Sequence, residues 1–369
     1  MKKFFTILIL SGNGLAIIGL LLAAFSTKIN PDFFFLPALL GMFFLPLILL
    51  NLAFVVFWML RFKWFFVFSL LAIVLSYGSF KQMFPIKKSA TEPFSLNDST
   101  QFTLLSYNVK LFDFYKKSKN LQHHNKTIEY ILNRDADIVC LQEFGYYNAK
   151  GYLDAANVLT ALGKKYKYRH IESYGKSDQR STYGVATFSK YPIVKKRTIE
   201  YETRFNFSIC SEIQIRNKTI HLYNCHLESN QLTVDDKKKM FELVDSVSSN
   251  KEIALATGLL FGKLKKASKA RSKQAKAISD DIAVTDSLVV VCGDFNDTPV
   301  SYTYGTIKGD LSDAFLVNSS GLGITYSEAP FLFRIDYILH SKGISSGNFF
   351  IDKVPFSDHY PISCVIDLK

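Results

Sequence analysis

The chain reads as an α/β protein in which apolar helices precede a soluble part built from mixed strands and helices. Three observations lead there. Residues 1–80 of the 369 are almost entirely apolar and aromatic. From Phe102 onward, short runs rich in β-branched and aromatic residues recur. Helical stretches separate only some of those runs, which points to mixed sheets and away from strict parallel alternation.

The N-terminal block contains three uncharged stretches, between Lys3 and Lys28, Asp32 and Arg61, and Lys63 and Lys81. About 20 apolar residues are needed to cross a ~30 Å hydrocarbon core. The second stretch is long enough to span with tilt, and Pro37 and Pro46 can kink it. The third is short. The first is interrupted by Ser11-Gly-Asn-Gly14 and also has the layout of a signal peptide behind Lys2 and Lys3, without a clear cleavage site. Buried core helices are the alternative, but three such runs in succession argue against them. The expectation is a transmembrane region of about three helices over 1–80 that partners the lipid bilayer, a linker over 81–100, and a soluble domain over 101–369.

Basic residues divide evenly between the two sides. Lys2, Lys3, Arg61 and Lys63 would face one side, and Lys28, Lys81, Lys87 and Lys88 the other. Weight on the N-terminal lysines predicts a multi-pass membrane protein with its soluble domain on the non-cytoplasmic side. No ionisable residue interrupts the spans, which argues against transport.

The five cysteines (140, 210, 225, 292 and 364) lie in strand-like runs without CxxC spacing. They read as small buried thiols, with no zinc site suggested. The net charge of +12 is concentrated, with eleven Lys and Arg between Lys237 and Lys276. That run suits nucleic acid or anionic headgroups, or is simply a solvated helix face.

Along the soluble part, strands are predicted at 102–109, 138–141, 184–188, 208–215, 219–225, 287–292, 335–339 and 361–366. Helices are predicted at 127–134, 154–162, 234–247 and 263–284, with 250–262 as an irregular loop. There is no internal repeat and no Gly-rich phosphate loop.

Polar residues of particular types end the apolar strands. Leu104-Leu-Ser-Tyr-Asn108 ends in Asn108, and Ile138-Val-Cys-Leu-Gln-Glu143 ends in Glu143. Asn224 and His226, and Asp294 and Asn296, are i,i+2 pairs, which share one face of a strand. Each pair alone is as easily a turn motif. Arg334-Ile-Asp-Tyr337 and Ser357-Asp-His359 add Asp336, Asp358 and His359. An oxygen-rich set of this kind suits a hard divalent cation.

The ordered set Tyr107-Asn108, Leu141-Gln-Glu143, Asn224-Cys-His-Leu227, Gly293-Asp-Phe-Asn296, Arg334-Ile-Asp-Tyr337 and Ser357-Asp-His359 resembles the endonuclease/exonuclease/phosphatase superfamily, the DNase I-like fold. Tyr183-Gly184 and Thr325-Tyr326 fit as weaker pieces. The likeness runs from about Phe102 to Asp367 and leaves out the membrane stretches. It implies a sandwich of two mixed β-sheets flanked by helices, with the active site at one rim.

The resemblance also implies roles. Glu143 would be the principal Mg²⁺ ligand, with Asn108 beside it and Asp358 helping to hold metal or substrate; Mn²⁺ is the alternative cation. His359 would be the general base and Asp336 its orienting carboxylate. Asp294 and Asn296 would place the attacking water and the phosphate, and His226 would donate to a phosphate oxygen. Asn224 and Tyr183 would contact substrate. A histidine of unperturbed pKa ~6.5 can take a proton from water near neutral pH. The implied activity is metal-dependent hydrolysis of a phosphodiester, on nucleic acid or on a phospholipid or inositol phosphate. A non-catalytic tethered binding module is the alternative, and no protein partner is expected. His123, His124, His170 and His221 have no motif around them and read as structural.

Overall fold

The computed structural model describes residues 2–86, 100–113, 125–146, 155–174, 182–202, 206–231, 250–328 and 332–369. The chain forms two compact units. One comprises Met1–Met83, Glu228–Lys273 and Thr298–Thr306; the other comprises Phe84–Leu227, Gln274–Asp297 and Ile307–Lys369.

The N-terminal unit begins with α1 (Lys2–Ala24), α2 (Leu36–Met42), α3 (Phe44–Leu60), α4 (Phe66–Leu75) and α5 (Tyr77–Met83). Among the described residues one helix, over Lys3–Ala24, is long and apolar enough to cross a membrane. The pairs α2 with α3 and α4 with α5 pass the same test only together, and they bend by 79° and 57°. Of the about three membrane helices expected, one is a single continuous helix of spanning length, and the other two stretches are helix pairs broken by a bend. Asn13 is paired inside the bundle, as burial favours. Asn13 Nδ2 donates to Ser69 Oγ at 2.6 Å, and Trp58 Nε1 donates to Asn13 Oδ1 at 2.8 Å.

The second unit is a two-sheet sandwich. Its strands are β1 (Gln101–Asn108), β2 (Ile138–Phe144), β3 (Tyr168–Tyr174), β4 (Tyr183–Ser189), β5 (Ile193–Thr198), β6 (Ser208–Ile215), β7 (Lys218–His226), β8 (Leu288–Asp294), β9 (Ser312–Asp313), β10 (Asp336–His340), β11 (Ser345–Ile351) and β12 (Ile362–Asp367). The sheet orders are β11-β12-β1-β2-β4-β3 and β5-β6-β7-β8-β10-β9. Both are mixed: β1 with β2 and β7 with β8 run parallel, while their other neighbours run antiparallel. The remaining helices are α6 (Lys126–Arg134), α7 (Ala155–Gly163), α8 (Asn250–Ala283), α9 (Tyr302–Lys308) and α10 (Ala314–Asn318).

Period-2 alternation builds the core. Phe102, Leu104, Ile138 and Cys140 of one sheet meet Ile220, Leu222, Val290, Cys292 and Ile338 of the other. The opposite parity, Leu105, Tyr107, Val139 and Leu141, packs under Ile128 and Ile131 of α6 and Val158 and Leu162 of α7. All five cysteines are buried free thiols.

Two expectations meet a different outcome. Residues 250–262 are the front of the 34-residue helix α8, not an irregular loop. Gly258 and Gly262 lowered its local helix signal, but Leu260 is buried and Phe261 stacks on Phe35, so packing overrides propensity. The strands β3, β5, β9 and β11 fall where none was expected, and all four are outermost in their sheets. The helix expected over 234–247 lies outside the described residues.

Candidate active site

The parity that fills the core also delivers the site. In β1, β7, β8 and β10, the inward positions that carry Leu104, Leu222, Val290 and Ile338 also carry Asn108, His226, Asp294 and Asp336 at one end. The register sets them side by side: His226 pairs with Asp294 across β7 and β8, and Asp336 pairs with Asp294 across β10 and β8. Gly293 permits this approach. A Cβ there would lie 2.0 Å from the Cys225 carbonyl oxygen, and its φ of 133° suits glycine.

His359 follows on the turn into β12. Its Nδ1 lies 2.9 Å from Asp336 Oδ2, and its Nε2 lies 3.7 Å from Asp294 Oδ2. Burial alone would lower its pKa, but the carboxylates of Asp336 and Asp294 outweigh burial and raise it to about 10. The Tyr326 ring stands edge-on to the imidazole, with centroids 5.1 Å apart. Thr325 fixes the neighbouring strand by accepting from the amides of Ile335 and Asp336 at 3.0 and 3.1 Å.

Asp294 is nearly fully buried, and three donors hold it. Asn296 N donates to Oδ1 at 2.8 Å, while Asn296 Nδ2 and Asn108 Nδ2 donate to Oδ2 at 3.1 and 3.0 Å. Burial pushes its pKa up, against the opposing charge of His359. Asn296 has a left-handed backbone (φ 53°) and also donates from Nδ2 to Leu227 O at 3.0 Å. A non-glycine residue in that region costs about 1 kcal/mol or more, a strain that clusters at functional sites.

Glu143 reaches the rim by breaking the alternation. Val139 and Leu141 point outward, and strict period 2 would send Glu143 with them. A register shift between Leu141 and Phe144 and a φ of 46° turn it back to Asn108, whose Nδ2 lies 3.2 Å from Glu143 Oε1. Burial raises the pKa of Glu143.

His226 completes the cluster. Its Nε2 is buried, makes no hydrogen bond among the described residues, and faces Glu143 Oε1 at 3.9 Å and Asp294 Oδ2 at 3.8 Å. Burial lowers its pKa, so the ring is neutral. Tyr183 OH lies 3.4 Å from its Nδ1. With the tyrosine as donor, the ring proton sits on Nε2, aimed into the site.

Two expected site residues have other engagements. Asn224 is fully buried, and its amide is spent between the sheets. Gln142 Nε2 donates to Asn224 Oδ1 at 2.6 Å, and Asn224 Nδ2 donates to Ala186 O at 3.0 Å. It ties the sandwich together and presents nothing to a substrate. Asp358 Oδ2 lies 2.9 Å from Lys110 Nζ, which also reaches Glu328 Oε1 at 3.3 Å. Lys110 was not singled out from the sequence. Nothing in Asn108-Val-Lys110 signals that Lys110, Leu111 and Phe112 all take left-handed backbones. Asp313 also went unnoticed: its carboxylate makes a buried 2.7 Å pair with Arg334 beside the Asp336 strand.

The donor chemistry suits a hard divalent cation. Asp294, Asp336 and His359 each offer a ligand atom, all within 4.8 Å of one another. Glu143 stands across Asn108 from Asp294, and the orphaned His226 Nε2 faces both carboxylates. As oriented, Asn108 gives its nitrogen to the two carboxylates, while its Oδ1 accepts from Lys110 N at 3.1 Å.

Comparisons with known proteins identify the family and the fold. Residues 105–359 match the model of the Endonuclease/Exonuclease/phosphatase family, and residues 2–83 match a domain of unknown function. A curated relative, the CCR4-Not complex 3'-5'-exoribonuclease subunit Ccr4 of Candida albicans, is 25% identical over 233 residues, which is 56% of this chain. The chain spans only 28% of that relative's length. The crystal structure of an endonuclease/exonuclease/phosphatase from Beutenbergia cavernae aligns with TM-score 0.50 at 14% identity, over 73% of this chain and 72% of its own. A humanized D. rerio TDP2 structure aligns with TM-score 0.48 at 17% identity, over 73% of this chain and 99% of its own. The chain belongs to the Endonuclease/Exonuclease/phosphatase family.

Proposed function

We propose that the protein is a divalent-cation-dependent phosphodiesterase, anchored in a membrane by its N-terminal helices, with the catalytic unit on the non-cytoplasmic side. The observation that carries the chemistry is the His359–Asp336 contact at 2.9 Å with Nε2 turned towards Asp294. Asp336 keeps one ring proton on Nδ1, so Nε2 is the atom that takes a proton from water once the ring is neutral, a state that a divalent cation beside the same carboxylates would favour by opposing their pull on the His359 pKa. Asp294, held by Asn108 and Asn296, accepts a hydrogen bond from that water and orients it. His226 donates from Nε2 to a non-bridging phosphate oxygen, a donor fixed in advance where negative charge develops. Glu143, with Asn108 beside it, would hold Mg²⁺ or Mn²⁺, and Asp358, paired with Lys110 at 2.9 Å, would be a further carboxylate at the same rim. Such a cation, when bound, withdraws charge from the phosphate and from the leaving oxygen.

A nucleic-acid phosphodiester is the favoured substrate, because the curated relative is an exoribonuclease. The apolar surface of α1 and the bent helix pairs support the anchor. The test is a panel of RNA, plasmid DNA, sphingomyelin, inositol phosphates and a chromogenic diester, each with Mg²⁺ and with EDTA. Hydrolysis that needs metal and is lost in His359→Ala is expected. No hydrolysis of any of them would favour a tethered binding module. Protease accessibility on sealed cells reports the side on which the catalytic unit lies.

A further inference from the structure

The front half of α8 belongs to the N-terminal unit, and specific contacts fix it beside the turn that follows α1. The Phe261 ring meets Phe35 edge-on at 5.0 Å. Lys269 Nζ lies 3.4 Å from Asp32 Oδ1 and donates to Asp32 O at 3.3 Å. The short segment 298–306 is seated in the same place. Ser26 Oγ donates to Val300 O at 2.8 Å, and a Cβ at Gly41 would come within 2.4 Å of that carbonyl oxygen. Large apolar side chains nonetheless stay open there: Phe33 is 90% exposed, Leu259 58%, Phe34 47% and Phe261 41%. Exposed Lys265 and Lys266 follow about a turn further along α8.

Apolar side chains next to lysines, at the end of a helix fit to span a membrane, have one natural environment. The apolar groups enter the boundary between headgroups and acyl chains, and the lysines extend to lipid phosphates. Water offers nothing to four exposed apolar side chains, and a nucleic acid would use the lysines and leave them exposed. The geometry points to residues 257–266 of α8 as an interfacial element: Leu259 and Phe261, with Phe33 and Phe34, insert into the leaflet at the C-terminal end of α1, and Lys265 and Lys266 bind anionic headgroups. This rests on the membrane reading of α1.

The five native cysteines are buried, so introduced cysteines take a spin label selectively. Labels are placed one at a time in the full chain at Leu259→Cys and Phe33→Cys. Leu15→Cys, exposed in the middle of α1, is the lipid control, and Val194→Cys on β5 is the aqueous control. The protein is reconstituted in nanodiscs of phosphatidylcholine with phosphatidylserine. The oxygen-to-nickel collision ratio measured by power saturation is expected to be high at 15, 33 and 259 and low at 194. Removing phosphatidylserine, or introducing Lys265→Glu with Lys266→Glu, should shift the ratio at 259 towards the aqueous value. An aqueous ratio at 33 and 259 with a lipid ratio at 15 overturns the interfacial placement alone. Aqueous ratios at all of these positions overturn the membrane reading and this inference with it. A label at Lys265→Cys that is immobilised by an oligonucleotide but not by anionic lipid overturns it in favour of nucleic acid.

Discussion

His359 and Asp336 meet through Nδ1 and Oδ2 at 2.9 Å, although Asp336 opens β10 and His359 lies 23 residues further on, in the connection into β12. The other ring nitrogen is thereby left facing Asp294. Replacing Asp336 with Asn keeps the shape but offers the ring an amide that can stabilise the wrong tautomer. Asp336→Asn is expected to lower kcat by about 10²–10⁴ with KM changed only a few-fold. Steady-state kinetics on whichever diester the enzyme cleaves decides it; near-full kcat would remove Asp336 from its role.

His226 Nε2 is buried without a hydrogen bond among the described residues, so its donor is held for something that arrives. His226→Gln keeps volume but moves the donor. A loss of about 10²–10³ in kcat is expected. The folded state should be weakened little, because Nε2 makes no hydrogen bond among the described residues and the only bond lost is the 3.4 Å contact with Tyr183 OH. Initial rates and a thermal melt of the same preparation separate the two effects.

Asn224 predicts the opposite pattern. Asn224→Ala removes the hydrogen bonds that Asn224 makes with Gln142 Nε2 and Ala186 O inside the sandwich, leaving Gln142 Nε2 its 3.3 Å bond to Ser106 Oγ. Losing two buried hydrogen bonds costs about 1–3 kcal/mol. Denaturant unfolding in detergent should show that loss, while KM of the folded fraction stays unchanged. A raised KM at wild-type stability would restore Asn224 to the substrate.

His170 contributes to the loss of stability in acid. It sits between the sheets with Nδ1 2.9 Å from Ser211 Oγ, and burial lowers its pKa from 6.5 to about 4. A neutral ring in the folded state and a charged one in the unfolded state mean that its contribution is fully present above pH ~6.5 and is lost as pH falls through about 4. The loss amounts to up to about 3 kcal/mol. In His170→Gln the stability between pH 6.5 and 4 should fall less steeply than in the wild type, as read from denaturation midpoints across that range.

Central strands were legible because both their faces obey a simple rule. Runs such as Leu104-Leu-Ser-Tyr-Asn108 and Val289-Val-Val-Cys292 are apolar on the two parities that pack against the second sheet and the helices. The edge strands were not. Lys195, Lys196 and Arg197 in β5 face water or a single neighbour, and edge strands carry charge to discourage further pairing. The front of α8 was missed for the converse reason. Its two glycines suppress the local signal, and the contacts that hold the helix come from residues more than 200 positions away.

By itself, the order of residues determined that Asn108, His226, Asp294 and Asp336 would share the inward parity of their strands, because side chains alternate with a period of two. It also determined that Glu143 and His359 would lie at strand ends. Only the tertiary structure decided which ends converge, because pairing between strands far apart in the chain sets the register. It also decided that Glu143 turns inward through a left-handed residue, that Asn224 is consumed by Gln142, and that Lys110 occupies Asp358. Each of these depends on the position of a partner in space, and hydrophobic periodicity carries no information about such partners.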